Sequence, residues 1–122
     1  MDAKQERLQK RLEELLKQAS SVATELQQLE QGSGTPHYDQ IELPAHAMGQ
    51  RFSRMIQTER AREVVAAGLA DAACPGCGRK CRVETKSREV HSQDGPLELL
   101  ETVAKCRPCR RSFFPSAGRS GT

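Results

Sequence analysis

Two C-x2-C pairs, Cys74-Pro75-Gly76-Cys77 and Cys106-Arg107-Pro108-Cys109, are the residues of this chain best equipped for chemistry. Between Cys77 and Cys106 lie 28 residues that read as strand, turn and strand. Two tight turns that each offer two sulfurs, brought together by a short sheet, make a four-thiolate zinc site of the ribbon type. Thiolate sulfur suits the borderline softness of zinc. The x2 spacing aims both sulfurs of a turn at one point and lets backbone N–H groups donate to them. Gly76 and Gly78 suit the first turn, because glycine accepts the positive φ that such a turn demands. In the second turn Arg110 stands where Gly78 stands in the first. Four thiolates close the coordination shell, so the single zinc expected here is structural, held by Cys74, Cys77, Cys106 and Cys109. Cys81 is the fifth cysteine. Its x3 step from Cys77 fits a turn poorly, which favours a place in the core of the first strand over a ligand role. His37, His46 and His91 show no ligand spacing.

A thioredoxin-like use of C-x-x-C needs a βαβ setting, which is missing here. The sequence contains no G-x-S-x-G, P-loop or H-E-x-x-H motif, so no enzyme is expected and no small-molecule substrate is implied. An odd number of cysteines in a charged chain without an apolar leader suggests a reducing, cytoplasmic setting and no membrane span.

The elements that would position the sulfurs follow from periodicity. Leu8, Leu12, Leu15, Ala19, Val22, Leu26 and Leu29 recur at alternating steps of four and three, a heptad stripe, which predicts one helix over residues 1–31. A parallel coiled-coil dimer would face Lys4 with Gln9, Arg11 with Leu16, Gln18 with Ala23 and Glu25 with Glu30, none of them an opposite-charge pair. Packing on another helix of the same chain is therefore favoured, with self-association or a partner helix through residues 5–30 left open. A linker is expected over residues 32–43 and a second helix over 44–73, with Met48, Phe52, Met55, Ile56, Val64, Val65 and Leu69 on its apolar face. Asp39-Gln40-Ile41-Glu42 has the form of a capping box, but it would place Pro44 in the second turn, so a start at Pro44 after a distorted turn is preferred. The zinc ribbon then covers 74–115. Its strands are expected over 79–85, 86–92 and 97–105, with a turn at Gln93-Asp94-Gly95-Pro96. A disordered tail covers 116–122. The fold class is α+β: a helical hairpin of two long helices followed by a small antiparallel ribbon.

Net charge is +3, unevenly spread. Residues 79–122 carry ten Lys or Arg against five Asp or Glu, while the rest of the chain is slightly acidic. Four thiolates on one zinc would leave the ribbon half at about +3, a modest bias toward polyanions. The side chains expected to meet DNA phosphates are Arg79, Lys80, Arg82, Lys86, Arg88, Lys105, Arg107, Arg110 and Arg111.

The run CPGCG (74–78), a basic strand, a DG turn with LELLE (97–101) and CRPCRRSFFP (106–115) resembles the zinc-ribbon segment of certain bacterial insertion-sequence transposases. The stretch IEL…MGQRFSRMI (41–56) fits the helical lead-in of those proteins, and the likeness covers roughly residues 38–115. It implies a DNA-binding accessory segment of the transposition machinery. Such transposases continue into a domain with three metal-binding carboxylates. The 122 residues here leave no room for it, and Thr102-Val103-Ala104-Lys105 replaces the arginine and aromatic residues usual before the second knuckle. A truncated or fragmentary copy is the expectation. The alternatives are a protein–protein adaptor, or a transcription-type regulator with a helical docking arm.

Overall fold

The computed structural model describes residues 2–68 and 70–115. It has two helices followed by a four-stranded antiparallel sheet, an α+β fold. The chain divides after Gly49 into two compact units.

In the first unit, α1 (Ala3–Gln31) begins at Asp2, whose carboxylate accepts the Gln5 N–H at 2.7 Å. It ends at Gly32, which takes φ 72° and donates its N–H to Gln28 O. No residue of α1 is buried, and the leucines and Val22 of its stripe are each between 46% and 82% exposed. The expected packing of this stripe on a neighbouring helix is not found among the described residues.

The second helix, α2, runs Tyr38–Ala66 and so starts earlier and stops earlier than the sequence suggests. The linker shrinks to residues 32–37. The start follows a capping-box logic two residues upstream: His37 N–H donates to Gln40 Oε1 at 2.8 Å, and Gln40 N–H donates to His37 O. Pro44 then lies inside the helix. Lacking an N–H, it leaves Gln40 O without its helical donor. Gln31 Nε2, on the last turn of α1, donates to that oxygen at 2.8 Å, and Gln27 Nε2 donates to Ile41 O at 3.2 Å. Gln31 thus supplies the donor that the proline removes, and Gln27 adds a second tie beside it.

The second unit holds the rest of α2 and the sheet. The residues expected to end the second helix instead form β1 (Asp71–Ala73), and β2 (Lys80–Ser92) is one strand, not two. β3 (Gly95–Cys106) returns after Gln93-Asp94, and β4 (Arg111–Phe113) follows the second cysteine pair. The order is β1-β2-β3-β4. Gln93 and Asp94 keep negative φ, and Gly95 takes φ 110°, which closes the hairpin at a position where only glycine is comfortable. Asp94 is tied back to α2, accepting from Ser53 Oγ at its carboxylate and from Arg54 at its carbonyl.

Burial changes face along this hairpin. Near the cysteines, Cys81, Val83, Ala104, Cys106 and Phe113 share one face and form the small core with Cys74 and Cys109. Near the turn the half-buried pairs are Val90 with Leu97 and Ser92 with Gly95, on the opposite face. The tail from Ser116, expected to lack order, and Leu69, assigned to the apolar face of α2, lie outside the described residues.

Candidate metal centre

The two knuckles share their cysteine spacing and a positive φ after the second cysteine, and differ in how the turn closes. Cys74 leaves β1 with its N–H bonded to Arg79 O, and Gly78 N–H closes the turn on Cys74 O, both at 2.8 Å. Gly78 takes φ 75°. At the equivalent place Arg110 takes φ 54°, the only positive φ among the described non-glycine residues, with its N–H on Arg107 O. The missing glycine keeps the positive φ but closes the turn on the carbonyl three residues back, where Gly78 reaches four. It has placed a side chain in the left-handed region, at a cost of about 1–2 kcal/mol. Register does the rest: β2 and β3 pair along their length, so the first knuckle, just before β2, meets the second, just after β3.

The four sulfurs of Cys74, Cys77, Cys106 and Cys109 all lie within 4.8 Å of one another, with Cys74–Cys109 at 3.8 Å and Cys77–Cys106 at 3.6 Å. A metal–sulfur bond of about 2.3 Å places the sulfurs of a tetrahedron about 3.8 Å apart. Disulfides are excluded at these separations, and all five cysteines are free. The donor set and its spacing fit a metal ion. Cys81 is buried and stands outside the cluster, its thiol directed at Arg79 O at 3.4 Å, which is the core position expected of it.

Electrostatics separates the sulfurs. The Cys77 N–H, helped by the Gly76 N–H at 3.3 Å, lowers the Cys74 thiol to about 6 against the opposing effect of burial. Cys109 is pushed up to about 12, first by hydrogen bonds its thiol shares with Cys77, Cys74 and Cys106, then by burial and the charge on Cys106. Burial, reinforced by Cys106, raises the Cys81 thiol. One sulfur is thus a ready thiolate, and Cys109 must exchange its proton for a cation.

The nine basic residues expected at a nucleic-acid surface are all exposed, but they do not form one surface. Lys80, Arg82, Lys86 and Arg88 alternate along one face of β2, and Lys105 joins them from β3. Lys80 is paired with Asp71 at 3.7 Å and Arg88 with Glu101 at 2.9 Å. Arg79, Arg107 and Arg110 sit on the knuckles. Arg111 pairs in register with Cys106, and its guanidinium comes within 3.8 Å of where a side chain on Gly76 would begin. It therefore lies over the first knuckle, beside the sulfurs, a placement that nothing in the local sequence signals. Arg79, Arg82, Lys86, Lys105, Arg107, Arg110 and Arg111 make no ion pair among the described residues.

No protein-family model, curated protein or solved structure matches this chain. No helix among the described residues is long and apolar enough to cross a membrane.

Proposed function

We propose that residues 74–115 are a zinc ribbon whose single Zn2+ is structural, and that the chain serves as a DNA-binding accessory segment of an insertion-sequence transposase. It performs no catalysis of its own in this reading. The observation that carries the metal reading is the sulfur cluster, four thiols within 4.8 Å in two turns of the same cysteine spacing. Its sulfur-only donor set selects zinc over hard cations and leaves no coordination position for water. The DNA reading is supported by seven basic side chains that make no ion pair among the described residues, six at or near those turns and Lys86 further along β2, and by the likeness of the knuckle and exit sequences to transposase ribbons.

Such a surface meets phosphates and reads no bases, so binding is expected to be steeply salt-dependent. The logarithmic slope should be about −0.9 for each phosphate neutralised. Elemental analysis of the reduced protein should find one zinc per chain. Retention of labelled duplex DNA over a salt series should fall along a straight log–log line. A metal-free folded protein would overturn the first reading, and no retention at low salt the second. The exposed stripe of α1 favours an adaptor or transcription-type regulator as the second reading, which gains if DNA is ignored while the chain associates with protein.

A further inference from the structure

The apolar stripe of α1 is unpartnered, and its charges are arranged for one particular occupant. We propose that α1 pairs with α1 of a second copy of this chain in an antiparallel two-helix coil. A helix of 29 residues with no buried side chain gains little stability from its backbone alone, because helices in water draw most of it from packing an apolar face. The stripe supplies that face over the three heptads from Leu8 to Leu29. Leu12, Ala19 and Leu26 hold one core position of the repeat, and Leu8, Leu15, Val22 and Leu29 hold the other.

Orientation decides what these residues meet. In a parallel pair each residue faces its own counterpart. Ala19 then faces Ala19 and leaves a hollow, Gln5 faces Gln5, and Glu25 is set against Glu30. In an antiparallel pair centred on the helix, Leu12 faces Val22, Leu15 faces Ala19 and Leu8 faces Leu26, each across the two copies, so large residues fill the space beside small ones, and Leu29 meets the aliphatic stem of Gln5 at the ends. The flanking positions agree. Arg11 of one copy faces Glu25 of the other, twice by symmetry. Gln18 meets Gln18 on one side of the two-fold axis and Leu16 meets Leu16 on the other. The single like-charged rim pair, Glu30 with Asp2, lies at the ends, where solvent screens it. Leu16, which is 46% exposed and off the strict heptad seam, gains a partner only in this arrangement.

The test uses the full, zinc-loaded chain. Light scattering or sedimentation over a concentration series should pass from 13.5 kDa to twice that mass. Charge reversals at Arg11 and Glu25 leave the exposed helix surface otherwise intact, and circular dichroism would verify that helicity is kept. Arg11→Glu and Glu25→Arg should each weaken the dimer about ten-fold, since two attractions become two repulsions. The double variant Arg11→Glu/Glu25→Arg should recover the parent affinity, because the pair is restored in mirror form. A mass that stays at one chain up to submillimolar concentration would overturn the proposal. So would a Glu25→Arg variant that dimerises more tightly than the parent, which is the result a parallel pair would give by losing its repulsion.

Discussion

At the residue scale, the site depends on two positions that differ in kind but do the same work. Gly78 and Arg110 both follow the second cysteine of a knuckle, and both take positive φ. Glycine does so freely, whereas arginine is held there by the turn it closes. Arg110→Gly is therefore expected to stabilise the metal-bound ribbon by about 1 kcal/mol, read as a rise in denaturation midpoint. No gain would mean that the arginine side chain supplies a compensating contact. The substitution should also weaken DNA retention slightly, so stability and binding move in opposite directions. Protonation is the second residue-scale lever. The Cys74 thiol sits at about 6, below its ordinary 9.0, because N–H groups stabilise its thiolate. What that thiolate contributes is complete above the ordinary value and lost as pH falls through about 6. A bound ion requires all four thiolates, so protons compete with it throughout. Zinc released to a chromophoric chelator should increase on acidification, most steeply around and below pH 6. Release independent of pH would contradict thiolate ligation.

At the element scale, the start of α2 is the instructive case. A rule applied to Pro44 alone places the helix boundary there, because a buried or unpaired carbonyl is costly. The chain avoids the cost with a donor nine residues away, Gln31, which supplies the hydrogen bond to Gln40 O. That contact joins two elements, and no local pattern encodes it. Gln31→Ala should lower the protection of the first turns of α2 against amide exchange, by about 0.5–1 kcal/mol. The same change in a Pro44→Ala background should cost almost nothing, because an alanine N–H at position 44 satisfies the carbonyl. Equal losses in both backgrounds would show that the glutamine acts some other way. The knuckles, by contrast, were legible from spacing and residue type, since two C-x2-C turns at the ends of a hairpin leave little freedom. Asp71–Ala73 was not: three residues long and small in side chain, it becomes a strand only by pairing with Lys80–Arg82. The switch of buried face along β2 was also hidden, because Glu84 to Glu89 are exposed and carry no apolar alternation to follow.

At the scale of the whole molecule, the two units rest on different physics. The sheet unit has a core of Cys74, Cys81, Ala104 and Cys106 with a few half-buried neighbours, too little apolar surface to hold a sheet unaided. In the proposed zinc-bound state the ion supplies most of its folding free energy, on the order of 10 kcal/mol. Chelation, or Cys77→Ser, should therefore abolish the β-sheet signal and leave most of the helical circular dichroism. A sheet that survives metal removal would show that side-chain packing suffices. The helical unit draws on α1 instead. In the antiparallel pair its 29 residues form a rod about 43 Å long, with the two Gly32 linkers leaving from opposite ends.

The hairpin of β2 and β3 is held by other strands at one end and by α2 at the other. At the cysteine end β1 and β4 flank it, reaching no further along the partner strands than Arg82 and Ala104, and at the turn Asp94 is held by Ser53 and Arg54. From Glu84 to Glu89 β2 is exposed on both faces and no third strand lies beside the pair among the described residues, while Leu99, Glu101, Thr102 and Val103 opposite it on β3 are half-buried. Paired ribbons of this kind coil more strongly than broad sheets. Arg88 spends its charge across this span, pairing with Glu101 of β3 at 2.9 Å, which leaves Lys86 the cation of the span that has no ion pair among the described residues.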